Sequence, residues 1–270
     1  MTTATRIQPS VHITGTPGVG TMAVVARRDS GFRPDDALRG GEINEVETDP
    51  SMRKASTTAG GGLLAMAVLS AFGYLIAVKG LVVPGNAART AKNLTGHEGQ
   101  FRFGILSLYL VAALDVVVAL ALHRMFKPVS DALSRFAAGL RVAYAAVFVV
   151  AISQLVGALG LHPQALRHIT TFTNIWDAGL VLFGLNLFVL AYLAYRSDYV
   201  PRLVGALLAI AGFGYVFDTI VRVLVRGSSS NVSAITGMGE FVFALWLVMR
   251  GRRITLTNSQ SHDISIGVVR

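Results

Sequence analysis

From about residue 61 onward the chain alternates long apolar blocks with short polar breaks. Six blocks stand out, at about 61–78, 101–123, 139–161, 175–195, 201–225 and 232–249. Each has 18 residues or more, and none shows the alternation of a half-buried strand. At ~1.5 Å per residue, each crosses or nearly crosses a ~30 Å hydrocarbon layer as a helix. A helix satisfies its own backbone polar groups in lipid, so single apolar runs of this length predict transmembrane helices. The alternating signature of an outer-membrane barrel is missing. The pattern predicts an all-α, polytopic bundle of about six spans over 55–251.

Composition agrees with the pattern. Hydrophobic residues make up 53% of the 270 and charged residues only 14%, against about 25% charged in a soluble domain. There is no cysteine, which excludes disulfides, thiolate metal sites and cysteine nucleophiles. The formal charge of +9 would suggest nucleic acid in a soluble protein, but here it reads as a basic cytoplasmic rim. Residues 1–54 differ from the rest: they hold seven of the fifteen acidic residues, seven basic ones and no apolar periodicity. They are expected to be a disordered extension, without the layout of a signal peptide. Met52, just ahead of Arg53 and Lys54, is an alternative start of translation. Residues 252–270 are expected to form a polar cytoplasmic tail.

An even number of spans leaves both termini on one side. On that side stand Arg53, Lys54, Arg124, Lys127, Arg135, Arg196, Arg202, Arg250, Arg252 and Arg253, ten in all. The other side has six: Lys79, Arg89, Lys92, Arg102, Arg167 and Arg226. The bias predicts both termini in the cytoplasm and location in the plasma membrane. Trp176, Trp246, Tyr192, Tyr195 and Tyr199 are expected near the interfaces, and the glycines of 205–214 at close helix contacts.

Two motifs compete for a chemical reading. Gly15-Thr-Pro-Gly-Val-Gly20 has the glycines of a phosphate-binding loop, but Thr21 and Met22 stand where Lys and Ser/Thr are required. No nucleotide, nucleic-acid or cofactor site is expected. Nor do His97, His162 and His168 have metal-ligand spacing. More informative are the ionisable residues inside the spans, each costing at least ~2.5–3.5 kcal/mol at mid-membrane unless it faces the bundle interior. Depth along the spans places Asp115 and Arg141 in an inner layer, as a buried ion-pair candidate. The same reasoning puts Asp177, Asp218, Arg222 and Glu240 in the outer half, as candidates for a ligand or ion site. Asp218 and Arg222 are four apart and can pair on one helix face. Asn186, Gln154 and Ser153 read as helix–helix hydrogen bonds.

The stretches GLVVPGNAARTAKNL, FRFGILSLYLVAALDVVVALALHRMFKPV, LVLFGLNLFVLAYLAYRSDYVPRLVGALLAIAGFGYVFD and GEFVFALWLVMRG occur in order. Together they resemble the bacterial membrane family called domain of unknown function 4386, over about 63–251. That resemblance implies a six-helix inner-membrane protein and carries no catalytic residues. Its landmarks here include Arg102, Asp115, Arg141, Tyr144, Asp177, Pro201, Gly214, Asp218 and Glu240. Members often have histidine where this chain has Asn186, so proton chemistry tied to that histidine is not expected. Two functions follow from the residues. One is binding or transport of a small polar solute or ion. The other is an accessory role in which buried charges only stabilise helix packing. No nucleophile–base or metal constellation points to an enzyme. Beyond the lipid bilayer no partner is specified, and a homo-oligomer remains open.

Overall fold

The structure is a computed structural model that describes residues 50–160, 164–225 and 232–249. All of them belong to the compact unit that starts at Val46. The glycine-rich motif at 15–20, His162, Arg226 and the basic tail lie outside the described residues.

The described residues are helical throughout, joined by short turns. Helix α1 (Pro50–Ser70) continues through a π-helical turn (Ala71–Ile76) into a 3-10 turn (Lys79–Leu81). After a short amphipathic α2 (Ala87–Gly96) come α3 (Glu98–Phe126), α4 (Asp131–Gly160), α5 (Ala165–Arg196) and α6 (Arg202–Leu224). The chain ends its described part with α7 (Val232–Thr236) and α8 (Met238–Met249). Five of these elements are long and apolar enough to cross a membrane, with 51–81 counted as one; α8 is an apolar helix of 12 residues. The chain is a polytopic helical membrane protein.

Two boundaries differ from the reading of the sequence. The first helix begins at Pro50 rather than near Gly61, because Met52, Ala55, Ser56, Ala59 and Gly60 form a buried face. That spacing is a helix face. The sixth span is two helices that meet at Gly237, so only α8 carries its apolar run.

The spans form a ring in which α3, α4, α5 and α6 each pack on the next. Helix α1 packs on α3, and α8 closes the ring between α6 and α1. Small residues set the close approaches, since without a hydrophobic drive between helices in lipid, packing depends on fit. On α6, a Cβ at Gly212 would meet the Gly184 carbonyl of α5 at 2.8 Å. At Gly60 a Cβ would meet Leu247 and Val248 of α8, also at 2.8 Å. Ser56 completes that closure by donating to the Leu247 carbonyl at 3.1 Å.

Two loops have clear local causes. Gly85 takes φ 74°, the left-handed region that glycine enters without strain, and Asn86 then caps α2 by accepting from the Arg89 N–H at 2.9 Å. Between α5 and α6, the Tyr199 hydroxyl donates to the Met125 carbonyl at the end of α3, 2.7 Å away. Burial raises the pKa of that hydroxyl above its ordinary value.

Candidate functional site

The interior of the ring holds a cavity of about 450 Å³, in the usual range for small-molecule sites. Every spanning helix contributes to it: Met66 and Tyr74 from α1, Asp115 from α3, Arg141 and Tyr144 from α4, Trp176 and Phe183 from α5, Tyr215 from α6, and Glu240 from α8.

Its polar end is built on an ion pair. Arg141 Nε donates to Asp115 Oδ1 at 2.9 Å, with the two side chains 2% and 1% exposed. The guanidinium also lies over the Phe183 ring, 5.1 Å from its centroid. Glu240 faces the same space, as does Tyr215. Although Glu240 is half-buried as a residue, its Oε1 is fully covered. Among the described residues, neither Glu240 Oε1 nor Arg141 Nη2 has a hydrogen-bond partner. Asn186 Nδ2 and Trp246 Nε1 are also covered without a partner, but of these atoms only those of Arg141 and Glu240 belong to residues that line the cavity, where a ligand or water can satisfy them. Beneath Arg141 there is no room for a further molecule: Asn186 packs there beside His123, whose Nδ1 lies 2.9 Å from Ser134 Oγ.

Its other walls are aromatic. Trp176 Nε1 donates to the Tyr144 hydroxyl at 2.9 Å, and Tyr144 stacks on Phe148. Tyr74, on the π-helical turn, meets Trp176 edge-on at 4.7 Å between centroids. Tyr74 also lines a second cavity of about 440 Å³, with Lys79, Thr173, Asn174, Asp177 and Arg222. The Tyr74–Trp176 contact therefore stands between the two spaces.

The six charged candidates are regrouped by this geometry. Asp115 and Arg141 are paired, and Glu240 joins them rather than Asp177, Asp218 and Arg222. Glu240 is nine residues from the C-terminal end of α8, or ~14 Å. Arg141 is ten residues from the start of α4 and Asp115 eleven from the end of α3, so all three lie at a similar level, ~14–17 Å from helix ends on the same side of the bundle. Arg222 makes its ion pair across to Asp177 on α5. Asp218, expected as the intrahelical partner of Arg222, accepts from the Val232 N–H at the start of α7, at 3.1 Å.

Several residues of the site were missed. Trp176 was expected at an interface but sits inside the ring, and Tyr74 and Tyr215 were not singled out. The available signal was a tyrosine in mid-span, whose hydroxyl needs a partner when buried.

Comparison with known proteins gives a family and no activity. Residues 58–251 match the model described as Domain of unknown function (DUF4386). An "Uncharacterized protein" of the archaeon Archaeoglobus fulgidus is 35% identical over 153 residues, which is 57% of this chain and 86% of that one. The likeness thus extends beyond bacteria. No solved structure matches the chain. The chain belongs to the family of Domain of unknown function (DUF4386), over the residues that build the bundle and its cavity.

Proposed function

We propose that this chain is a ligand-binding protein of the plasma membrane, with both ends in the cytoplasm and a small molecule held in the central cavity. The observation that carries this is the pair of covered, unpartnered atoms, Arg141 Nη2 and Glu240 Oε1, at one cavity of about 450 Å³. A site meant only for packing would be expected to close on its polar groups, because a half-satisfied network is worse than an apolar one. The excess of basic residues at the inner ends supports the orientation.

The accessory reading keeps its force for the outer charges. Asp177 and Arg222 tie α5 to α6, and Asp218 holds the start of α7. Each of these contacts has a packing role that needs no ligand.

The test is a comparison of bound small molecules. The full chain and its Val111→Phe variant, which fills the cavity from α3, are purified in polymer-excised native membrane and extracted for mass spectrometry. One species enriched in the parent and missing from Val111→Phe supports the reading. Identical extracts refute it.

A further inference from the structure

The cavity is not closed evenly by its ring. Helices α1 and α8 touch at one level, where Gly60 meets Leu247 and Val248 and Ser56 bonds the Leu247 carbonyl. Seven residues further along α1, ~10 Å deeper into the bilayer, Ala67 is exposed and lines the cavity. Opposite it on α8, Phe241 also lines the cavity and is 48% exposed. The two helices therefore part above their contact, and the gap between them leads to the polar end. At the outer end, the edge-on contact of Tyr74 with Trp176 lies between this space and the second cavity. At the inner end, Asn186 and the His123–Ser134 pair fill the space below Arg141. Among the described residues, what remains is a mouth at hydrocarbon depth, where the surrounding solvent is lipid tails.

The polar end selects among lipids by hydrogen-bond arithmetic. Arg141 is already neutralised by Asp115, and its covered Nη2 amino group has no partner. Glu240 has a covered oxygen, Oε1, without a partner. An ammonium head could serve Glu240 but would be repelled by Arg141 and could accept nothing from it. An acidic head could accept from Arg141 but would face the Asp115 and Glu240 carboxyls. A hydroxyl accepts from the one and donates to the other, and brings no charge into the membrane.

We infer that the central cavity, on the ligand-binding reading above, takes an uncharged long-chain amphiphile with a hydroxyl-bearing head, which enters sideways from the bilayer between α1 and α8. The chain lies among Met66, Leu63 and Leu180, and the head reaches Arg141 and Glu240.

The chain's two tryptophans allow a direct test. Trp246→Phe leaves Trp176, which lines the cavity, as the one fluorescent reporter. The full chain carrying that change is placed in phosphatidylcholine nanodiscs and titrated with a monoacylglycerol brominated on its chain, since bromine quenches tryptophan on contact. The expected result is saturable quenching that unbrominated monoacylglycerol reverses. Ala67→Phe, which blocks the mouth without touching the polar end, is expected to weaken it by about tenfold or more. Gly61→Ala, on the same helix but away from the cavity with nothing within 4 Å of its Cβ, is the control and is expected to leave the quenching unchanged. A brominated fatty amine or fatty acid that quenches better overturns the head-group assignment. Quenching that rises linearly, or that Ala67→Phe leaves unchanged, overturns sideways entry. If glycerol alone shifts Trp176 emission and no amphiphile quenches it, the cavity still binds a ligand but this inference falls. If nothing binds, both readings fall together.

Discussion

Removing Arg141 alone and removing it together with Asp115 should have very different effects. The pair is made at 2.9 Å with the arginine 2% and the aspartate 1% exposed, so neither charge has water to return to. Arg141→Met leaves Asp115 buried and uncompensated at mid-membrane. Breaking a buried pair from one side costs about 3–5 kcal/mol, because an unpaired charge remains. That figure agrees with the ~2.5–3.5 kcal/mol for one charge at a helix centre in a membrane. The lost contact with Phe183 adds about 0.5–2 kcal/mol. Changing Asp115→Leu as well removes the stranded charge, and replacing a buried pair by apolar residues is often neutral or better. The double variant should therefore recover most of the loss, with a coupling of about 3 kcal/mol. The assay is unfolding in mixed micelles followed by tryptophan fluorescence, for the parent, both single variants and the double. If each single variant costs less than about 0.6 kcal/mol, the average for an interhelical hydrogen bond in a membrane protein, the pair contributes no more than ordinary polar glue and the reasoning fails. A double variant as unstable as the worse single would also refute it. The stable double variant is in turn the right background for asking whether Arg141 binds ligand, since there a loss of binding cannot be blamed on unfolding.

Three further outcomes follow from the same geometry. Gly212→Ala should cost about 1–3 kcal/mol by the same unfolding assay, because its Cβ would meet the Gly184 carbonyl at 2.8 Å and force α5 from α6; Gly61→Ala, with nothing within 4 Å, is the control. Asp177→Asn should cost no more than about 1 kcal/mol, since its partner Arg222 is 35% exposed and solvent weakens the pair, and a larger loss in the unfolding midpoint would show that this pair, rather than the inner one, anchors the bundle. The absence of native cysteine makes topology testable by labelling: Arg89→Cys should react with an impermeant maleimide added outside intact cells, and Lys127→Cys only after permeabilisation.

The four central helices were legible because each is a long apolar run between polar turns, and in lipid such a run has no other way to satisfy its backbone. The start of α1 was not, because its buried face is made of Ala55, Ser56, Ala59 and Gly60, small residues that a hydrophobic average reads as polar sequence. Charges were legible as buried, but their partners were not. Arg222 has an acid four residues away on its own helix and another on α5, and spacing along the chain cannot rank a local pair against one between helices. Depth failed for Glu240 for a definite reason. It was counted from residue 232, whereas counting back from Met249 puts it nine residues, or ~14 Å, from the end of α8, at the level of Arg141. The aromatic walls were hidden because Trp176, in mid-helix here, is the residue type that usually marks an interface.

Regular helix is the cheapest backbone in a membrane, and departures from it are tolerated where the freed groups are buried in protein or line a cavity. Among the described residues the bundle departs from α-helix within its membrane-spanning runs at the π-helical turn of 71–76 and at Gly237. These lie on α1 and α8, the two helices that part at the mouth, and Tyr74 from the first and Gly237 from the second both line the central cavity. Tyr74, which meets Trp176, lies within the π-helical turn. Gly237, where the second helix breaks, lines the cavity itself. Both irregularities thus serve the same space, and neither is needed to close the ring, which Gly60 and Ser56 already do at the other end. That coincidence favours a cavity shaped to hold something over one left behind by imperfect packing.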